Sequence, residues 1–229
     1  MMKRRAKNVL QTLREVFVMP KWTKSTKDPF ETLVTTIISQ NTADRNTARA
    51  FENLSKQFKI TPEALAKASK SDIEERLKVA GLYRNKATTI KQISTIILEK
   101  FHGTLKPIFS RPFEDARETL LQLPGVGPKT ADVLLLFCAQ QPTIPVDTHV
   151  NRVAKRLGFA PAEGDYETVR KSLQSLYHPK DFLAVHVLLI SLGRKYCTAR
   201  KPLCEKCPVN DYCPSRGLWN KNYQSRGRE

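Results

Sequence analysis

The chain has 229 residues, of which 40% are hydrophobic and 27% charged, with 9 Gly and 14 Pro scattered along it. That is room for one large domain or two small ones with a substantial core, and it excludes a disordered chain, a fibrous repeat and any need for a disulfide scaffold. Lys and Arg (39) exceed Asp and Glu (22) by a net charge of +17, an imbalance that favours a polyanionic partner, nucleic acid first, over a merely basic surface.

At the N-terminus, Met1 to Lys7 is basic, but Arg14 and Glu15 interrupt the stretch that a secretory signal would keep apolar. Asp28-Pro29 opens a helix through Phe30, Leu33, Val34, Ile37 and Ile38, with Asp accepting orphan N–H groups and Pro losing none that it needed. A helix is expected over Thr42 to Phe58, and Thr61-Pro62 repeats the opening signature. Ser71 with Glu74 three residues on predicts a capping box, and Gly81 after Val79-Ala80 a left-handed C-cap. Apolar residues at helical spacing predict further helices over Lys86 to Phe101, Phe113 to Gln122, Lys129 to Cys138, Thr148 to Leu157, Asp165 to Tyr177 and Phe182 to Tyr196. Strand signals are weak, so the fold class is all-α. A boundary between compact units is expected near Gln140 to Pro145, and no repeat points to a solenoid. The longest strictly apolar run, Val133 to Ala139, falls far short of the ~20 residues of a membrane-spanning helix. An intracellular protein without a membrane partner is therefore expected, associated with the nucleoid if the source is a prokaryote.

Leu123-Pro124-Gly125-Val126-Gly127-Pro128-Lys129-Thr130-Ala131 joins two of these helices through glycines one residue apart. Gly can take positive φ and lets another backbone approach closely, and the N–H groups of the helix start can grip a phosphate. A Gly-x-Gly alone is better explained by a tight helix–helix turn with no ligand; the whole nonapeptide in a basic helical chain reverses this and favours DNA backbone, gripped without reading its sequence. Lys129 stands where the helix dipole and partial desolvation favour the neutral, nucleophilic amine, although a lysine there also serves as a phosphate contact. Asp147, in Ile144-Pro145-Val146-Asp147-Thr148-His149-Val150, is a natural N-cap; facing a cleft shared with Lys129 it would take a proton or stabilise positive charge on a sugar. His149 either assists or simply packs.

Of the five cysteines, Cys197, Cys204, Cys207 and Cys213 crowd into seventeen residues as C-x6-C-x2-C-x5-C, a strong metal signal. The unequal spacing fits an iron–sulfur cubane better than a zinc ribbon, zinc remaining the alternative. Lys195, Arg200, Lys201 and Lys206 would make the loop a positive surface for phosphates, and Cys138, among Leu134, Leu135, Leu136 and Phe137, reads as a small core residue.

These motifs occur in the order Ser39-Gln40-Asn41-Thr42-Ala43-Asp44, Gly81-Leu82-Tyr83-Arg84-Asn85-Lys86-Ala87, the hairpin, Val146-Asp147-Thr148-His149 and the four cysteines. In that order and spacing, across nearly the whole chain, the sequence resembles the endonuclease III branch of the helix-hairpin-helix DNA glycosylases. The resemblance implies two helical domains flanking a DNA-binding cleft: a six-helix barrel over residues 25–142 carrying the hairpin, and residues 1–24 with 143–229 holding a [4Fe-4S] cluster on the four cysteines. It implies a bifunctional glycosylase and AP lyase of base excision repair, excising oxidised pyrimidines from duplex DNA and acting also at abasic sites, here as an expected monomer. Lys129 and Asp147 would be the catalytic pair. Leu82 would be an apolar wedge, Gln40 or Asn41 would fill the gap left by the flipped base, and Gly125, Gly127, Lys129 and His149 would complete the DNA contacts. Pro128 departs from the family pattern, which often has a basic residue there, and removes a possible phosphate contact. Glycosylases of mispaired adenine use an additional Glu in the helix before Ser39, and none occurs between Glu31 and Glu52. Mismatch glycosylases for uracil or thymine usually dispense with the lysine, and a non-catalytic DNA clamp would form no covalent adduct.

Overall fold

The structure, a computed structural model, describes residues 1–20 and 28–218. Among these residues there are twelve α-helices joined by loops and short 3-10 turns, and no strand. The chain divides into two compact units: α2 to α9, ending at Gln141, form one, and α1 with the described residues from Pro142 onward forms the other. The boundary expected at 24/25 lies outside the described residues.

The first unit comprises α2 (Pro29–Ser39), α3 (Asp44–Gln57), α4 (Pro62–Lys67), α5 (Lys70–Leu77), α6 (Tyr83–Phe101), α7 (Lys106–Phe109), α8 (Phe113–Leu121) and α9 (Pro128–Phe137), six of which have eight residues or more. Local signals start several of them. The Asp28 carboxylate accepts the Glu31 N–H at 2.8 Å and the Thr61 hydroxyl accepts the Ala64 N–H at 3.3 Å, each with Pro in the first turn. The expected box at Ser71 is corrected: Ser69 caps α5, its hydroxyl accepting the Asp72 N–H at 3.1 Å, while Glu74 pairs with Lys70. Both serines are followed three residues later by an acid, so the pattern is degenerate, and the earlier start gives a longer helix. Helix α3 begins two residues later than expected because the Thr42 hydroxyl is committed to the Ala80 carbonyl. Ile90, Ile93 and Ile97 of α6 are fully buried with Leu33, Ile37, Leu65 and Leu77, each such side chain stabilising the fold by roughly 1.5–3 kcal/mol. Across α8 and α9 the buried Arg117 Nε donates to Asp132 Oδ1 at 2.8 Å, tying together the two helices that flank the hairpin.

In the second unit, α1 (Met2–Val16) buries Ala6, Val9, Leu10 and Leu13, the spacing of one helical face. They pack with Val150 and Val153 of α10 (Thr148–Arg156), Val169 and Leu173 of α11 (Tyr166–Leu176), and Leu188 and Leu192 of α12 (Phe182–Lys195). Asp147 and Asp165 cap α10 and α11. A Cβ on Gly193 of α12 would lie 2.9 Å from the His149 Cβ, so only glycine allows α10 this close.

Candidate active site

The hairpin is a tight turn anchored by buried Leu123 and Val126, with Leu123 N–H donating to Leu120 O and Val126 N–H to Leu123 O, both at 3.1 Å. Gly125 is required twice over: its φ is +73°, and a Cβ there would sit 2.5 Å from Thr89 Cγ2. Gly127 has φ −92° and open space where a Cβ would go. It heads α9 with no side-chain cap, and Pro128 takes the first helical position. Lys129 follows, half-buried, in the first turn of α9.

One other segment of the same unit meets the hairpin, and a second is bonded to that segment through the Thr42 hydroxyl. After α2 the chain turns through Gln40 and Asn41, both exposed; Gln40 Nε2 donates to the Gly125 carbonyl at 3.0 Å, and Asn41 has φ +53°. After the 3-10 turn Lys78–Ala80, Gly81 takes φ +65° with ψ 161°, positive φ as expected but extended rather than left-handed in ψ. Leu82 then adopts φ 46°, ψ 26°, a left-handed conformation that costs a β-substituted residue energy, with its side chain 61% exposed.

Lys86 joins these segments, and sequence reasoning missed it because a lysine beside Arg84 and Asn85 reads as a solvated charge. Its side chain is buried, and Nζ donates to Ile38 O at 2.8 Å, Thr42 Oγ1 at 2.5 Å and Ala80 O at 3.0 Å. Burial lowers its pKa from the ordinary lysine value; three acceptors match the three N–H donors of the charged form, whereas a neutral amine has two.

Asp147 belongs to the other unit. Ile144, Pro145 and Val146 before it are buried, with the Pro145 carbonyl accepting from His186 Nδ1 at 2.9 Å and the Val146 N–H donating to the Tyr166 hydroxyl at 3.3 Å. At the end of this fixed strut, half-buried Asp147 caps α10, its Oδ1 accepting the Val150 N–H at 2.7 Å. His149 Nδ1 lies 3.1 Å from Arg152 Nη2. Guanidinium only donates, so Nδ1 accepts and the ring proton sits on Nε2. Arg152 also donates to Gly193 O at 3.1 Å and Cys197 O at 2.9 Å.

Cys197, Cys204, Cys207 and Cys213 line one small cavity with Arg156 and Tyr196, although among the described residues no three ligating side chains are set to hold a single metal ion. Arg156 secures the loop, donating to Cys197 Sγ at 3.4 Å, Thr198 O at 2.7 Å and Ala199 O at 3.0 Å. Burial pushes the Cys207 thiol up to about 11 and raises that of Cys213. Four thiolates in this place need a strong positive centre to form, which is the chemistry of a metal-bound donor set and fits an iron–sulfur cofactor. Cys138 is half-buried against the core of the first unit.

A family model described as HhH-GPD superfamily base excision DNA repair protein matches residues 34–179, and a second, the iron-sulfur binding domain of endonuclease III, matches residues 197–213. Endonuclease III of Sulfolobus acidocaldarius is 36% identical over 82% of this chain and 82% of its own. That of Thermotoga maritima is 38% identical over 81% of this chain and 83% of its own. A solved structure of a trapped endonuclease III–DNA covalent intermediate matches with a TM-score of 0.82 at 29% identity, over 99% of both chains. The family that the motifs resemble is thus the family found, and the cofactor is a [4Fe-4S] cluster. The chain belongs to the endonuclease III family of HhH-GPD superfamily base excision DNA repair proteins and is a DNA glycosylase and AP lyase.

Proposed function

We propose that this enzyme excises oxidised pyrimidines from duplex DNA, acting as a monomer, and then cuts the strand at the abasic site, with Lys129 as nucleophile and Asp147 as its carboxylate partner. The observation that carries the reading is a lysine in the first turn of a helix whose start is left uncapped behind a Gly-Val-Gly turn. DNA phosphate held by the N–H groups of that start brings the sugar to the amine.

In this mechanism the neutral Nζ of Lys129 attacks C1′ as the C1′–N bond to the base breaks, and the base leaves with the electron pair and takes up a proton. Asp147 accepts the proton that the amine sheds and stabilises the cationic sugar. Opening of the sugar ring gives a Schiff base between C1′ and Nζ, which acidifies the 2′ proton. Its removal forms the C2′–C3′ double bond and expels the 3′ phosphate; water then releases the lysine.

A base inside the duplex must first be extruded, at a cost of a few kcal/mol that is least for a damaged base. Leu82, apolar and exposed on a strained backbone, is the wedge. Asn41 fills the vacated stack, because the Gln40 side chain donates to the Gly125 carbonyl and braces the hairpin, whereas Asn41 is exposed on a left-handed turn. Gly125 and Gly127 admit the phosphate chain, and His149 offers Nε2–H to another phosphate. The four cysteines would hold the [4Fe-4S] cluster, which when bound closes the loop through four thiolate bonds and supplies a one-electron couple.

Duplexes bearing an oxidised pyrimidine, a uracil or thymine mismatch, a mispaired adenine or an abasic site, each assayed with and without borohydride, test this function. The oxidised pyrimidine and the abasic site should be cut and should give covalent adducts. Excision confined to a mismatch, without strand cleavage, would overturn it.

A further inference from the structure

The ammonium of Lys86 is spent entirely on backbone and hydroxyl oxygens at the roots of two loops. The Ile38 carbonyl belongs to the last turn of α2, one residue before the Ser39–Thr42 turn that carries Gln40 and Asn41. The Ala80 carbonyl ends the 3-10 turn that leads into Gly81 and Leu82. Both are carbonyls at helix ends, where a cation is favoured by the dipole and by the absence of an intrahelical donor. Thr42 closes the ring: its hydroxyl accepts from Lys86 and donates to Ala80 O at 2.5 Å. The Lys86 backbone N–H also donates to Leu82 O at 3.1 Å.

We propose that Lys86 is a positioning residue for base extrusion: one buried ammonium holds the Asn41 turn and the Leu82 turn in fixed register, so that the wedge and the gap filler enter the duplex together. Three features support this. The three partners of the charge are all neutral oxygens, so it serves as a cap for carbonyls rather than as half of an ion pair. The loops it roots both carry non-glycine residues at positive φ, Asn41 at 53° and Leu82 at 46°, a conformation that persists only where surroundings over-determine it. Gln40 extends the same brace to the Gly125 carbonyl of the hairpin. The burial cost of this charge is thus met by three acceptors, and what it secures is the geometry of two exposed tips.

The inference rests on the proposed function and is tested apart from it. Lys86→Met keeps the length of the stem and removes the donors; Thr42→Val is the milder break, keeping the shape and removing the hydroxyl. For each, excision from an oxidised pyrimidine paired in a duplex is compared with β-elimination at an abasic site in single-stranded DNA, which needs no wedge or gap filler. Fluorescence of 2-aminopurine beside the lesion reports unstacking. For Lys86→Met, duplex excision and the fluorescence rise should fall about tenfold or more while single-strand cleavage stays within about twofold; Thr42→Val should shift the same ratio less. Equal losses on both substrates, or an unchanged ratio in both variants, would overturn the positioning role. If Lys86→Met does not fold, the Thr42→Val ratio decides. Wild-type enzyme that cuts neither substrate would overturn the enzymatic reading, and this inference with it.

Discussion

Helices α9 and α10 begin with the same chemical need and meet it in opposite ways. The first turn of any helix presents N–H groups with no intrahelical partner. At α10 the chain answers with its own carboxylate, Asp147 taking the Val150 N–H at 2.7 Å. At α9 it answers with Gly127, no capping side chain, and a proline that removes one N–H altogether. The closed start fixes a carboxylate in one orientation at the end of a buried strut. The open start suits an anion from outside. A helix terminus is therefore informative through what the chain leaves off it as much as through what it supplies.

Substitutions at the two helix starts separate these roles. The largest effect is expected for Asp147→Asn, which keeps a good cap, so stability should change by no more than a few tenths of a kcal/mol, while base excision should fall by about a hundredfold or more. Intact turnover with a lowered melting temperature would reduce Asp147 to a cap. Next, Gly127→Asp gives α9 the cap that α10 has: thermal stability should hold or rise slightly, and DNA affinity should drop about tenfold because a carboxylate now occupies the phosphate position. Unchanged affinity would mean that no phosphate binds there. Gly125→Ala should cost about 1–3 kcal/mol in a denaturant melt, because both the positive φ and the contact with Thr89 oppose it. Smallest is Gln40→Ala, which loses one exposed hydrogen bond to the hairpin and should weaken DNA binding only about twofold to fivefold. A much larger loss in a titration would make Gln40, rather than Asn41, the residue that enters the duplex.

What was legible in the sequence was local. Asp28, Thr61 and Asp147 cap as their neighbours suggest, because a cap and its N–H partner lie three residues apart, whereas Asp165, expected inside its helix, caps it instead. Ser71 misled because Ser69 offers the same pattern two residues earlier. No side-chain cap marks the start of helix α1, and the single turn of α7 was not foreseen. The brace of the candidate site was not legible at all. Lys86 reaches a carbonyl 48 residues back, Gln40 one 85 residues ahead, and Arg117 pairs with Asp132 across the hairpin. Each of these side chains is locally indistinguishable from a solvated one, and only the packed helices select its partner. The choice between Gln40 and Asn41 as gap filler was open in the sequence for the same reason, since both are short polar amides and the carbonyl that engages one of them lies in another segment.

The chemistry turns on one amine, that of Lys129. Wild-type enzyme and Lys129→Gln are incubated with borohydride and a duplex containing an abasic site, and the cross-linked peptide is then located by mass spectrometry. A stable adduct is expected on the peptide carrying Lys129 in the wild type, and none in the variant although it still binds the DNA. An adduct of equal yield in the variant, or one mapped to a different lysine, would contradict Lys129 as the nucleophile.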